Sequence, residues 1–168
     1  MGSSDMTPHV RRGDARETPA TRRVRRGLQE RIATTGADVR LTLPARSENV
    51  AVIRHVLGAL SEALRLPPDV IEDLRLAVTE ACTNVVRHAY DGDEPGPIDV
   101  VVHPEGERLD VIVSDRGRGM GPSPDVDGPG LGLPLIAALA DSVEIQEAPI
   151  GGNRLTMSFA CRPRLGVA

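Results

Sequence analysis

Lysine is missing from the sequence altogether: all twenty basic residues are arginine. That excludes every mechanism needing a lysine ammonium, the phosphate-binding lysine of a Walker-A loop and the Schiff-base amine among them. Aromatic residues are almost as scarce, with Tyr90 and Phe159 alone, so Val, Leu, Ile and Ala must build the core. Cys82 and Cys161 stand far apart with no histidine at metal-ligand spacing. Neither a zinc site nor a disulfide framework is indicated, and both cysteines read as buried small hydrophobes. No apolar run approaches the roughly 18 residues of a membrane span, and the N-terminus lacks the apolar stretch of an export signal. A cytoplasmic protein with no membrane partner is expected.

The 168 residues suit one ordinary domain better than two. A net charge of -4 argues against a general nucleic-acid binder. The charge is uneven, because Arg11, Arg12, Arg16, Arg22, Arg23, Arg25, Arg26 and Arg31 crowd the first segment. Residues 1–36 lack a sustained apolar period and read as a disordered Arg-rich tail, either solvated or an arm for an acidic partner. The domain is expected over 37–162, followed by a short C-terminal tail at 163–168.

Within the domain, Val39, Leu41 and Leu43 alternate with polar neighbours as a half-buried strand, ended by Pro44. Ser47 is placed to cap a helix whose Val50, Ile53, Leu57, Leu60 and Leu64 recur at three- and four-residue steps, with Pro67 and Pro68 as its stop. A second helix begins near Asp69, buries Val70, Leu74, Ala77, Ala81 and Val85, and runs to about Tyr90. Ile98, Val100 and Val102, a Glu105-Gly106 turn, then Leu109, Val111 and Val113 form a hairpin. A Gly- and Pro-rich loop from Arg116 to Pro129 precedes a short helix over Leu131 to Ala140. Strands at Val143–Gln146 and Leu155–Phe159 flank a Gly151-Gly152 turn. This order, β-α-α-β-β-loop-α-β-β, predicts an α+β two-layer sandwich: a mixed, mainly antiparallel sheet covered on one face by about three helices.

Three segments carry chemistry. On the second helix, steps of four put Glu80, Asn84 and His88 on one face with Arg87 beside them, a set able to hold Mg²⁺ and polyphosphate, although a solvated polar face looks the same. At the strand end, Asp115 can accept a hydrogen bond from the exocyclic amino group of adenine and opposes guanine, with Gly117 and Gly119 letting the backbone approach the base; an ordinary turn uses the same residues. Gly130-Leu131-Gly132 opens the third helix, where backbone N–H groups and the helix dipole favour phosphate, or where a hinge is needed. Each signal is weak singly. Together they fall in a fixed order on the elements their chemistry requires.

That order resembles the GHKL (histidine-kinase-like, Bergerat-fold) ATPase superfamily over about Val39 to Phe159. Glu80-Ala-Cys-Thr-Asn84 followed by Val-Val-Arg-His-Ala-Tyr is similar specifically to the anti-sigma-factor serine/threonine kinases of the RsbW and SpoIIAB type. The resemblance implies ATP and Mg²⁺ as cofactors, Glu80 as general base, Asn84 as Mg²⁺ ligand and Asp115 as adenine reader. It also implies a kinase in transcription and stress regulation that phosphorylates an anti-anti-sigma (STAS-domain) antagonist, sequesters a sigma factor and forms a homodimer. Where the superfamily commonly has a threonine after the last-strand glycine, this chain has Asn153, with Thr156 as a second candidate for the adenine site. A nucleotide-dependent binding regulator without kinase activity, or a histidine-kinase-like module acting on another signalling partner, would share the pocket. A histidine kinase proper is disfavoured, because Arg54-His55-Val-Leu lacks the acidic residue that usually follows a phosphoacceptor histidine; His55 reads as structural or solvent-facing.

Overall fold

The alternating apolar residues of the central hairpin anchor the fold. In the computed structural model, which describes residues 38–91, 94–119, 132–149 and 151–162, five strands and three helices follow the expected order. They are β1 (Val39–Pro44), α1 (Ser47–Ala63), α2 (Pro68–His88), β2 (Pro97–Glu105), β3 (Arg108–Asp115), α3 (Gly132–Leu139), β4 (Ser142–Glu147) and β5 (Asn153–Ala160). The expected tails at 1–36 and 163–168, and Gly130 and Leu131 with most of the Gly- and Pro-rich loop, lie outside the described residues.

The strand order is β1-β2-β3-β5-β4, and all four pairings are antiparallel. The expected mixed sheet is therefore corrected to a wholly antiparallel one among the described residues. The crossover through α3 does bring β4 in parallel to β3, but β5 turns back through Gly151-Gly152 and inserts between them, so no parallel pair forms.

One face of the sheet is aliphatic. Ile98, Val100 and Val102 of β2, Leu109, Val111 and Val113 of β3, and Leu155, Met157 and Phe159 of β5 point the same way by the two-residue period and are all buried. The helices cover this face, with α2 in the middle, packed against α1 on one side and α3 on the other. Its Val70, Leu74, Ala77, Val78, Ala81, Cys82 and Val85 are buried, at three- and four-residue spacing. Each fully buried large aliphatic side chain contributes roughly 1.5–3 kcal/mol, so this stripe fixes α2 rigidly over β3 and β5. Burial also pushes the Cys82 thiol up to about 12, keeping it neutral and unreactive. Cys161, by contrast, is only half-buried, a partial correction to its reading as a core residue.

Two helix ends differ from expectation. Ser47 is the first helical residue and not the cap; Arg46 occupies the cap position in extended conformation, and the Asn49 amide ties the helix back to the Pro44 carbonyl at 2.8 Å. The helix also stops before the prolines reach it. Leu66 N–H donates to Ser61 O and Arg65 N–H to Glu62 O, the paired bonds of a Schellman motif, with Arg65 left-handed at φ 57° where glycine is usual. Pro68 instead starts α2, at the position where a missing N–H costs nothing. Arg65→Gly is expected to stabilise the domain by about 0.5–1 kcal/mol, the relief of left-handed strain exceeding glycine's added unfolded-state entropy. A thermal melt showing a higher midpoint checks this; a lower midpoint would mean that the Arg65 side chain contributes contacts worth more than the strain.

Candidate nucleotide site

The packing of α2 between its neighbours determines which of its polar residues face inward. Glu80 and Asn84 are half-buried on the side turned to α3, and both reach the first residue of that helix. A methyl group on Gly132 would lie 2.7 Å from Glu80 Oε1 and 3.0 Å from Asn84 Nδ2. The carboxylate and the amide thus converge where α3 begins, the end of a helix whose free N–H groups and dipole favour anions. Only a residue without Cβ leaves them room.

Arg87 and His88 are not gathered there. Both are exposed in the last turn of α2, where positive charge suits the helix dipole, and their side chains make no hydrogen bond among the described residues. His88 contributes its backbone carbonyl instead, to Arg118. This corrects the expectation of one continuous Glu80-Asn84-His88 face: 100° per residue carries a four-residue step 40° round the helix, and two such steps take His88 off the side that α3 covers.

Asp115 ends β3 on the helix-covered face and is only 4% exposed. Its Oδ1 accepts the Gly117 N–H at 2.9 Å, the carboxylate's single hydrogen bond among the described residues. Two glycines press on this corner. A Cβ on Gly117 would overlap the Ala89 carbonyl, and a Cβ on Gly152 would overlap the Asp115 carbonyl, at a residue whose φ of 83° already excludes most side chains. Gly119, also with positive φ (74°), follows at the last described residue before the loop.

The β3–β5 register separates the two candidates for the missing threonine. Leu155, Met157 and Phe159 pair with Val113, Val111 and Leu109 on the helix-covered face, so the two-residue period puts Asn153 on that face, the one that also carries Asp115. Thr156 pairs with Ile112 and faces the other way, which removes it from the site. The strand period makes the choice, since 153 and 156 differ by an odd number.

Two residues that the sequence did not single out hold this corner together. Tyr90 OH donates to Pro97 O at 2.6 Å and accepts the Arg116 N–H at 2.9 Å, while its ring fills the space above Gly96. Burial raises its phenol above the ordinary value, with nearby Asp115 and Asp99 adding to the rise, so it stays a neutral donor. Arg118 donates from its backbone N to Ala89 O and from Nε to His88 O, while its NH1 group meets both oxygens of Asp91. Being the sole tyrosine was a signal for the first; nothing local in the sequence marked the second.

The cradle fits a magnesium nucleotide. A buried carboxylate with one oxygen already oriented is suited to an adenine amino group, an amide beside a helix N-terminus to a phosphate-bound cation, and the Cβ-free positions to a closely approaching ligand.

Comparison with known proteins identifies the family of the domain. A family model for the histidine kinase-like ATPase domain matches residues 43–159. The serine-protein kinase RsbW of Halalkalibacterium halodurans is 42% identical over 80 residues, 48% of each chain. The serine-protein kinase RsbW of Bacillus subtilis is 40% identical over 79 residues, 47% of this chain and 49% of the relative. The chain therefore spans about half the length of these relatives. In fold it resembles the crystal structure of the RsbU and RsbW domains of Rv1364c from Mycobacterium tuberculosis, with a TM-score of 0.61 and 24% identity over 79% of this chain and 35% of that one. The chain belongs to the histidine kinase-like ATPase domain family and, within it, is similar to the RsbW serine-protein kinases.

Proposed function

We propose that this protein binds Mg-ATP between α2, the Asp115 corner and the start of α3, and transfers the γ-phosphoryl group to a serine or threonine of a STAS-domain anti-anti-sigma protein. The convergence of Glu80 and Asn84 on Gly132 is the observation that carries the reading. In it Asn84 holds the cation, Asp115 accepts from the adenine amino group, and Asn153 stands in for the usual threonine. Bound nucleotide supplies the phosphoryl group, and Mg²⁺ offsets the charge that develops on its oxygens. Glu80 takes the proton of the attacking hydroxyl as that oxygen bonds to phosphorus and the β,γ-bridging P–O bond breaks, leaving ADP. The likeness to RsbW supports the further proposal of a cytoplasmic homodimer that sequesters a sigma factor while its antagonist is phosphorylated.

Calorimetry on the intact protein tests the first half: Mg-ATP and Mg-ADP should bind with micromolar to submillimolar affinity. A pull-down from the native host, followed by incubation of the recovered STAS-domain protein with labelled ATP, tests the second. Binding without transfer would favour a nucleotide-gated sequestering module; the absence of any binding heat at millimolar nucleotide would end the kinase reading.

A further inference from the structure

The last carbonyls of a helix have no N–H of their own helix to receive, and in α2 two of them, His88 O and Ala89 O, are taken by one residue. Arg118 supplies its Nε–H to His88 O at 2.9 Å and its own backbone N–H to Ala89 O at 3.0 Å. Asp91, just past the helix, holds the same guanidinium through NH1 at 2.9 and 3.1 Å. The positive charge also lies at the negative end of the α2 dipole. Arg118 is thus bound at three points to the end of the helix that carries Glu80 and Asn84.

The residue before it transmits this anchoring. Gly117 lies against the Ala89 carbonyl so closely that no Cβ would fit, and its N–H fixes Asp115 Oδ1. Pinning Arg118 therefore presses Gly117 onto Ala89 and sets the plane of the Asp115 carboxylate. We propose that Arg118 is a positioning residue for base selectivity: by clamping the Asp115-Gly117 corner to the end of α2, it orients the carboxylate toward the amino group of adenine and against the carbonyl of guanine.

The inference rests on the nucleotide site proposed above, and the test keeps the two apart. Competition calorimetry with Mg-ADP and Mg-GDP is performed on the full chain and on Arg118→Ala, Arg118→Lys and Asp91→Asn. A misdirected hydrogen bond to a charged acceptor is worth about tenfold in affinity, so Arg118→Ala should lose roughly that factor for ADP and little for GDP, collapsing the ratio between them. Arg118→Lys, which keeps the charge but not the fork, should fall between. Asp91→Asn should shift the ratio the same way by about two- to threefold; this exposed partner can be changed without risk to the fold, which covers the case of an unstable alanine variant. An equal loss for both nucleotides, or an unchanged ratio in folded Arg118→Ala and Asp91→Asn, overturns the proposal. Failure of the unaltered chain to bind either nucleotide instead overturns the site on which it depends.

Discussion

With Glu80 changed to alanine, nucleotide should still bind within about threefold of the unaltered chain while phosphate transfer falls by roughly 100- to 10,000-fold, the usual range for loss of a general base. The asymmetry follows from where the group stands. Asn84 and the first turn of α3, which would meet the cation and phosphates, remain in place, and the adenine corner at Asp115 is built from β3, β5 and the end of α2 without Glu80. Single-turnover transfer to the recovered STAS-domain protein, beside calorimetry on the same sample, reads both quantities. Undiminished transfer would remove Glu80 from the mechanism, and equal loss of binding and transfer would make it a ligand-holding group.

The second large effect distinguishes two glycines that look alike in the sequence. At Gly132 a methyl group meets the ends of two flexible side chains, Glu80 Oε1 and Asn84 Nδ2, which can swing away. Gly132→Ala should therefore melt within a few degrees of the unaltered chain but lose about tenfold or more in nucleotide affinity, the cost of displacing the Asn84 amide from the cation it is proposed to hold. At Gly152 the methyl meets the backbone carbonyl of Asp115, on a residue with φ of 83°, and neither can yield cheaply. Left-handed strain and overpacking together cost about 2–5 kcal/mol, so Gly152→Ala should lower the melting midpoint by roughly 10–20 °C in a domain of this size. Thermal melts with and without Mg-ADP read the first case directly: ADP should raise the midpoint of Gly132→Ala clearly less than that of the unaltered chain, whereas Gly152→Ala starts low and, because its methyl also meets Asp115 Oδ1, gains little from ADP as well. An ADP-induced rise in Gly132→Ala equal to that of the unaltered chain would place the phosphate cradle elsewhere than the α3 N-terminus.

Much of this was legible in the residues alone. The order of elements, the stripes of α1 and α2 and the alternation of β2, β3 and β5 come from periodicities of 3.6 and 2 that any chain must obey to bury one face, and they placed Glu80, Asn84, Asp115 and Gly132 on the correct elements. The likeness of Glu80–Tyr90 to the anti-sigma-factor kinases, read from one helix, agrees with the family to which residues 43–159 belong. Helix ends were harder. Arg65 stops α1 in a conformation that sequence preference assigns to glycine, because burying Leu66 against the core holds the turn in place.

The primary sequence by itself determined which stretches become helix or strand, the aliphatic core, the chemistry excluded by the absence of lysine, and the carboxylates and amide that the proposed magnesium-nucleotide site draws on. Tertiary structure alone decided that Asn153 and not Thr156 shares a sheet face with Asp115, that His88 turns away while Glu80 and Asn84 meet Gly132, and that Arg118 closes the end of α2. Those outcomes depend on strand register and on contacts between residues 27 to 52 positions apart, such as Arg118 with Asp91 and Glu80 with Gly132. Local periodicity says which face of an element is apolar; only the packing of one element on another says which polar groups come together.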